Sequence, residues 1–343
     1  MPNYRIYGIL SITGKSIRRL SVLNPLTIHR KGQRSKSIFA LSLVCFFWGT
    51  TWVASKIGVS HMPALQMAAI RQLVAGLLFV GFFLYRRLPL PKGKEWLTIL
   101  VLSFLNFVLS NSFTAWGIQY IPSGLGSIIG ATFPLWLVVI GLFGKSTRLP
   151  FKALLGFLLG FSGICIIFYE HLSDFLQPGF RLGIFLSVFA TLTWAFGTIY
   201  TKKEAAGFNP YFSLGLQMLI SGTILLFTTK SLSLAGVPAF IPIAEIPWQA
   251  WMAILYLVVF GSIVAFGAYL YALQNLSTEQ TSVYAYINPV VAIILGAIIF
   301  HEDLSFFIAI GGAVTLLGVF LVNRGLRTPV RRKADAASSA GKK

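Results

Sequence analysis

Acidic residues are scarce in this sequence, since only 9 of its 343 residues are Asp or Glu. None of the nine falls at the centre of an apolar stretch, and the four histidines also lie at the ends of such stretches or between them. A proton relay of carboxylates or imidazoles inside a membrane is therefore not expected. Cys45 and Cys165 are the only cysteines. Both lie within apolar stretches, so we interpret them as small packing residues rather than as metal ligands or a disulfide.

Nucleotide-binding motifs are also missing. The glycines in residues 124–130 have the wrong spacing for a dinucleotide fingerprint and lie within an apolar stretch. Residues 144–146 read Gly-Lys-Ser but lack the leading glycine of a P-loop. We therefore expect no cofactor, no bound metal and no ATP-driven mechanism.

Apolar residues, in contrast, dominate the chain. Hydrophobic residues make up 56% of it and charged residues only 11%, with a mean hydropathy of +0.78. Such a chain has too little polar surface for a soluble fold, which predicts an all-α, polytopic membrane protein. Ten apolar stretches are long enough to cross a hydrocarbon core. They cover residues 38–59, 64–85, 96–116, 123–143, 151–169, 182–200, 211–228, 251–273, 281–300 and 306–322.

Basic residues are distributed unevenly between the two sides of these predicted spans. Of the 28 Lys and Arg residues, 24 lie in the leader 1–37, in the tail 324–343 or in alternate loops on the same side. The opposite side holds only Lys56, Arg181 and Lys230. By the positive-inside rule, both termini are cytoplasmic in a multi-pass protein of the plasma (inner) membrane. The net charge of +19 is then a topology signal and does not predict a nucleic-acid partner.

The sequence contains a faint internal duplication. Pro134 and Pro289 correspond at an offset of 155, as do two glycine pairs and a serine pair, whereas Trp48 and Trp194 correspond at an offset of 146. One insertion of nine residues, before the eighth span, explains the change of offset. The repeats are 38–170 and 181–323, with five spans each. Because five is odd, the second repeat enters the membrane in the opposite direction, an architecture used for alternating access about a midplane site.

Pro134 and Pro289 each lie about ten residues into a predicted span. A proline cannot donate a backbone hydrogen bond, so the carbonyls of Gly130 and Ala285 lose their helical partners. In a membrane such carbonyls need another partner or a watery cavity. We interpret the prolines as kink or gating positions beside a central path, although proline kinks are also ordinary features of membrane helices.

Several short motifs occur in a recognisable order. Trp-Gly-Thr stands at 48–50 with Lys56 eight residues after the Trp, A-x-R-x-L-x-A surrounds Arg71, and Phe-His-Glu at 300–302 precedes a helix with G-x6-G. In this order and spacing, residues 37–323 resemble the drug/metabolite transporter superfamily, specifically its ten-span group with two EamA-type repeats. The repeats depart from each other in two respects: Glu302 corresponds to Thr147, and Arg71 corresponds to Gln217. The first departure indicates a structural or topological role for Glu302.

The resemblance implies a secondary transporter of small metabolites such as amino acids, often an exporter or exchanger. We expect a monomer or homodimer whose partners are a small-molecule solute and membrane lipid. The alternative is a membrane-embedded enzyme or lipid-modifying protein. We expect no enzyme, because serine, histidine and acidic residues do not converge within any predicted span.

Arg71 is the deepest predicted charge, about eight residues into the second span. Its insertion costs roughly 2.5–3.5 kcal/mol, so it faces the protein interior or water rather than lipid. It either binds a substrate carboxylate or ties backbone carbonyls together. With it we group polar and aromatic residues as candidate substrate ligands, which are otherwise helix-to-helix contacts or interfacial anchors. The candidates are Trp48, Thr51, Arg71, Asn106, Asn111, Trp194, Thr198, Gln217, Tyr284, Tyr286 and Asn288.

Overall fold

The computed structural model describes residues 25–142, 151–204, 208–276, 278–281, 283–302 and 304–326. In these residues the regular structure is helical, and it forms ten successive spans. The spans are α1 (Pro25–Val59), α2 (Ala64–Tyr85), α3 (Lys94–Tyr120), α4 (segments Ser123–Ala131 and Phe133–Leu142), α5 (Phe151–Glu170), α6 (Pro178–Glu204), α7 (Pro210–Leu234), α8 (Trp248–Asn275), α9 (Tyr284–Phe300) and α10 (Phe306–Leu326).

The lengths of these helices fit a membrane protein. Seven are long and apolar enough to cross a bilayer, and three shorter apolar helices come from α5, α9 and α10. The predicted all-α, polytopic fold is confirmed. The helices extend beyond the apolar stretches: α6 begins at Pro178 rather than 182, and α7 continues to Leu234 rather than 228. Backbone hydrogen bonds continue where the side chains turn polar, so apolar stretches mark the hydrocarbon core rather than the helix ends.

The distribution of apolar and polar side chains fits a protein that is surrounded by lipid. Large apolar side chains point outward, for example Phe39 at 65% exposure and Phe227 at 69%. Polar side chains lie between the helices instead. The Ser221 hydroxyl on α7 donates to the Gln72 amide oxygen on α2 at 2.5 Å, and the Gln72 amide nitrogen reaches Ser112 on α3 at 3.4 Å. Such bonds between helices replace the water that buried polar groups lack.

Glycines allow two helix pairs to approach closely. A Cβ added at Gly76 of α2 would lie 2.5 Å from the Leu219 nitrogen on α7, and one at Gly222 would lie 2.6 Å from the Leu73 nitrogen. Gly76 corresponds to Gly222, and Leu73 to Leu219, in the two repeats. The contact is therefore reciprocal, as a two-fold relation between inverted repeats requires. The pair α5 and α10 packs through glycines in the same way.

The middle thirds of α3 and α8 are π-helical, over Ser103–Asn111 and Leu257–Ala265. These segments lie at corresponding positions of the two repeats to within one residue. A π-helix bonds residue i to i+5, which rotates the following side chains relative to an α-helix and often occurs at functional sites. The Ser112 hydroxyl supports the first segment by donating to the Phe107 carbonyl at 2.8 Å.

The two prolines lie in different local structure. Helix α4 is interrupted at Thr132, so Pro134 falls in the first turn of its second segment, where a missing N–H costs little. The Thr132 hydroxyl donates to the Ile129 carbonyl at 2.6 Å at this break. Pro289, by contrast, lies inside α9. In the second repeat a short turn, Thr278–Thr281, precedes α9.

Replacing Gly76 with Leu should destabilise the fold by about 1–3 kcal/mol, because the new side chain would collide with backbone rather than with a movable side chain. Thermal unfolding in detergent measures the change. Gly81→Leu is the matched control in the same helix, since a Cβ there meets nothing within 4 Å. Equal stability of the two variants would contradict the packing described for α2 and α7.

Candidate functional site

A cavity lies between the helices near the centre of the bundle. Residues of α1, α2, α3, α4, α6, α8 and α9 line it, and it holds about 900 Å³ of empty space including its mouth. In the following, the inner end of the bundle is the end at which α1 begins, and the outer end is the end at which α1 finishes.

Eight of the eleven candidate ligands line this cavity. They come from five helices that are far apart in the sequence, so the fold brings them together. The eight are Trp48, Thr51, Arg71, Asn106, Asn111, Trp194, Tyr284 and Asn288. Pro289 also lies in the lining.

Three candidates lie elsewhere and connect helices or turns. Thr198 is buried and hydrogen-bonds with Tyr269. The Gln217 side chain donates to Ser213 of its own helix at 2.9 Å. The Tyr286 hydroxyl donates to the Val319 carbonyl of α10 at 3.1 Å. Pro134 is likewise absent from the cavity lining.

The structure also adds residues that the sequence analysis missed. On α1, Trp52 and Ser55 complete a lining face with Trp48 and Thr51. The spacing of these four residues is i, i+3, i+4 and i+7, which is the signature of one helix face. This periodicity was available in the sequence. Further lining polar residues are Ser110, Thr114, Ser127 and Thr191.

The π-helical segment of α3 explains why Asn106 and Asn111 face the same cavity. In an α-helix, residues five apart point in directions about 140° apart. In a π-helix, which closes its hydrogen bonds at i+5, the same two residues lie nearly above each other. Both asparagines lie in Ser103–Asn111 and line the cavity. The Asn106 oxygen is buried, has no hydrogen-bond partner among the described residues and lies against Gly197 of α6.

Arg71 is the cation of the site and is 93% buried, since its relative exposure is 7%. Its Nε donates to the Ser262 hydroxyl at 3.0 Å, and one Nη reaches the Asn111 oxygen at 3.5 Å. Both partners are neutral. Among the residues whose side chains are described, no carboxylate forms an ion pair with Arg71. The guanidinium has five N–H donors, so this geometry leaves most of them for another acceptor.

Aromatic rings close the inner side of the cavity. The repeat-equivalent Trp48 and Trp194 meet edge to face, with 5.9 Å between ring centroids. Around them Phe266, Tyr269 and Tyr284 pack within 5.0–5.1 Å of the Trp48 ring, and we call these five residues the inner aromatic cluster. The cluster continues toward the inner end into apolar residues of α1, including Leu41 and Val44. A solute in the cavity therefore contacts flat apolar surface on its inner side.

The residues four positions before the two prolines belong to the cavity lining. Gly130 and Ala285 both lie in the lining. Near Pro289, the Asn288 amide nitrogen is placed to donate to the carbonyls of Cys45, at 2.9 Å, and Tyr284, at 3.1 Å. This bond ties α9 to α1 beside the cavity.

Comparison with known proteins identifies the family of this chain. The sequence profile of the EamA-like transporter family matches residues 35–169 and 181–324. The chain is 31% identical over 293 residues to an uncharacterized inner membrane transporter, YedA, of Escherichia coli K12, covering 84% of this chain and 90% of YedA. It is 30% identical to a WAT1-related chloroplastic protein of Arabidopsis thaliana, covering 81% of this chain and 67% of that protein.

A third relative, the uncharacterized transporter YvbV of Bacillus subtilis, is 27% identical and covers 90% of this chain and 96% of its own length. A crystal structure at 16% identity shares the fold, with a TM-score of 0.61 over 86% of this chain and 99% of the other. Two family matches cover most of the chain, each over five of its helical spans. The protein is a membrane transporter and belongs to the EamA-like transporter family.

Proposed function

We propose that this protein carries a small carboxylate-bearing metabolite, such as an amino acid, across the membrane by alternating access at the central cavity. The observation that supports the proposal most is Arg71, a buried cation in the cavity lining whose protein partners are the neutral side chains of Ser262 and Asn111.

The charge of Arg71 favours an anionic solute. An uncompensated charge inside a membrane protein is costly and is retained where it is functional. A guanidinium binds a carboxylate with two parallel hydrogen bonds, which are stronger than bonds between neutral groups. In the described part of the lining there is no acidic side chain that would repel such a solute. The carboxylate of the solute therefore completes the coordination of Arg71.

The rest of the cavity favours a solute with a flat or apolar body. Trp48, Trp52, Trp194, Phe266 and Tyr284 line the cavity and offer ring faces and edges. Aromatic surfaces gain free energy mainly by removing apolar area from water. Hydroxyls and amides such as Thr51 and Asn106 supply the few directional contacts. The combination of one cation, an aromatic wall and neutral polar groups fits an amphipathic organic acid or an amino acid.

Alternating access is supported by the relation between the repeats. The reciprocal α2–α7 contact joins equivalent residues of the two halves, and the repeat-equivalent Trp48 and Trp194 meet beside the cavity. Inverted repeats exchange conformations when the cavity opens to the other side. Pro134 and Pro289 adjoin the lining carbonyls of Gly130 and Ala285, so we assign the prolines a role in that exchange.

The distribution of basic residues and the names of the relatives support a membrane location and orientation for this protein. The excess of basic residues on one side supports a cytoplasmic location for both termini. YedA bears the name of an inner membrane transporter, and we propose the plasma (inner) membrane for this chain as well. We favour export or exchange, and no enzymatic activity, for a protein that works as a monomer or homodimer.

Counterflow in proteoliposomes tests the transport proposal. Vesicles loaded with unlabelled amino acids or aromatic and aliphatic carboxylic acids should accumulate the matching labelled solute transiently, whereas organic cations should give no exchange. Protein-free vesicles provide the control. Exchange of cations but of no carboxylate would contradict the assigned role of Arg71, and no exchange in the whole panel would remove the support for a carrier.

Arg71→Gln should weaken binding of a carboxylate solute by about 10- to 100-fold, the effect of losing a hydrogen bond to a charged group. Binding to the purified protein is measured by ligand-dependent thermal shift. Gln217→Ala, at the equivalent position of the second repeat but outside the cavity, should leave affinity unchanged. If Arg71 only holds helices together, Arg71→Gln will instead lower the unfolding temperature and affect all solutes alike.

The membrane orientation is tested by cysteine labelling on a background without Cys45 and Cys165. Cysteines at His61 and Leu176 should react with an impermeant thiol reagent added outside intact cells, and one at Leu90 should not. All three side chains are exposed, so accessibility depends on the side of the membrane rather than on burial. Labelling of the Leu90 variant from outside would contradict the proposed orientation in the membrane.

A further inference from the structure

Two charged side chains from different repeats bind the short connection between α3 and α4. The Lys56 ammonium, on α1, donates to the carbonyls of Ile118 at 2.7 Å and Ile121 at 2.9 Å. The Glu302 carboxylate, just after α9, accepts from the Ser123 nitrogen at 2.8 Å, the Ser123 hydroxyl at 2.9 Å and the Gly124 nitrogen at 3.2 Å. We call Lys56 and Glu302 the outer clamp.

The outer clamp satisfies helix ends that lack local caps. The last carbonyls of a helix and its first N–H groups have no partner within the helix. Pro122 precedes α4 and makes no side-chain capping bond, so the first N–H groups of α4 bind Glu302, which is 179 residues away. A cation at the end of α3 and an anion at the start of α4 also match the helix dipoles. Capping of the end of α3 and the start of α4 therefore depends on residues outside these two helices.

Local backbone geometry directs Glu302 toward α4. His301 caps α9 in a left-handed conformation, with φ of 53°, and turns the chain back. The Glu302 nitrogen then donates to the Gly296 carbonyl at 3.3 Å. A Cβ at Gly296 would lie 2.5 Å from the Glu302 carboxylate, so a larger residue there would shift the carboxylate from this position. The end of α9 is thus shaped to hold this carboxylate.

The clamped connection lies at the outer end of the cavity. Ile118, whose carbonyl binds Lys56, lines the cavity, and so does Ser55, the neighbour of Lys56 in the sequence. Ser127 also lines it, one helical turn after the capped Ser123. A displacement of the connection relative to α1 and α9 would therefore change access to the cavity from the outer side.

The corresponding inner position has different chemistry. The residue equivalent to Glu302 in the first repeat is Thr147, which carries no charge. The inner side of the cavity is closed by the inner aromatic cluster and the apolar residues packed below it. Among the side chains that the structure describes, charged groups thus hold the outer end of the cavity and apolar packing holds the inner end.

We propose that the outer clamp is the latch of the outer gate: Lys56 and Glu302 hold the α3–α4 connection over the cavity and release it when solute enters or leaves from the outer side. This proposal rests on the proposed alternating access. The bound groups are backbone carbonyls and N–H groups near a helix turn, for which water can substitute after release. Apolar packing deep in the bundle has no such substitute.

The rate of cysteine labelling in the cavity reports release of the outer clamp and requires no solute. Ser127→Cys, on the background without Cys45 and Cys165, is treated in right-side-out membranes with an impermeant thiol reagent. Adding Glu302→Ala, which removes three hydrogen bonds, or Lys56→Met, which removes two, should accelerate labelling by at least about tenfold, the ratio that corresponds to losing one charge-assisted hydrogen bond. Glu302→Gln, which keeps one acceptor oxygen, should give a smaller increase.

Thr229→Cys is the matched control, because Thr229 lies at similar depth on α7 and is fully buried. Its labelling should stay slow in every clamp variant. Unchanged labelling of Ser127→Cys with all three clamp substitutions would overturn the latch, and so would equal acceleration at Thr229, which would signal general loosening. Exchange of the two charges, Lys56→Glu with Glu302→Lys, should not restore slow labelling, since each side chain would then face a helix end of like charge. Restoration would overturn the assignment of helix-end partners.

The outcomes separate this proposal from the transport proposal. Clamp-dependent labelling in a protein that exchanges no solute would refute the transport proposal alone. Exchange of solute with labelling that ignores the clamp would refute the latch alone.

Discussion

A buried guanidinium whose partners among the described side chains are neutral is the constraint around which the centre of this protein is built. The neutral partners of Arg71 come from two π-helical segments, Asn111 at the end of one and Ser262 within the other. Gly261 leaves room for it, since a Cβ there would lie 3.1 Å from a guanidinium nitrogen. Because lipid cannot solvate a cation, Arg71 requires a polar space at this depth, and the cavity provides that space.

Much of the fold was predictable because it depends on properties that can be read directly along the sequence. Apolar length predicts the spans, and constant offsets between equivalent residues predict the repeats. The equivalent residues Trp48 and Trp194 also meet in the structure, 5.9 Å apart beside the cavity, a contact that was not predicted. Two-fold related positions near the axis must lie close together, so an offset carries three-dimensional information there.

Other features leave no comparable trace in the sequence. A π-helix differs from an α-helix by one residue in its hydrogen-bond register, and the apolar pattern of α3 does not report that difference. Equivalence also misled at Gln217, which corresponds to Arg71 but bonds within its own helix. Trp52, which lines the cavity, lies four residues after Trp48 on α1, and this helical spacing is visible in the sequence.

Divergence between equivalent positions gives the symmetric scaffold an asymmetric cavity. Asn111 approaches Arg71, whereas its equivalent Phe266 packs in the inner aromatic cluster, 5.0 Å from Trp48. Glu302 caps α4, while its equivalent in the sequence is a neutral threonine. Two identical inverted repeats would give the inward-facing and outward-facing states equal free energies by symmetry. Differences such as Asn111 against Phe266 and Glu302 against Thr147 remove that equality, so the differences between the repeats determine which state the empty protein prefers.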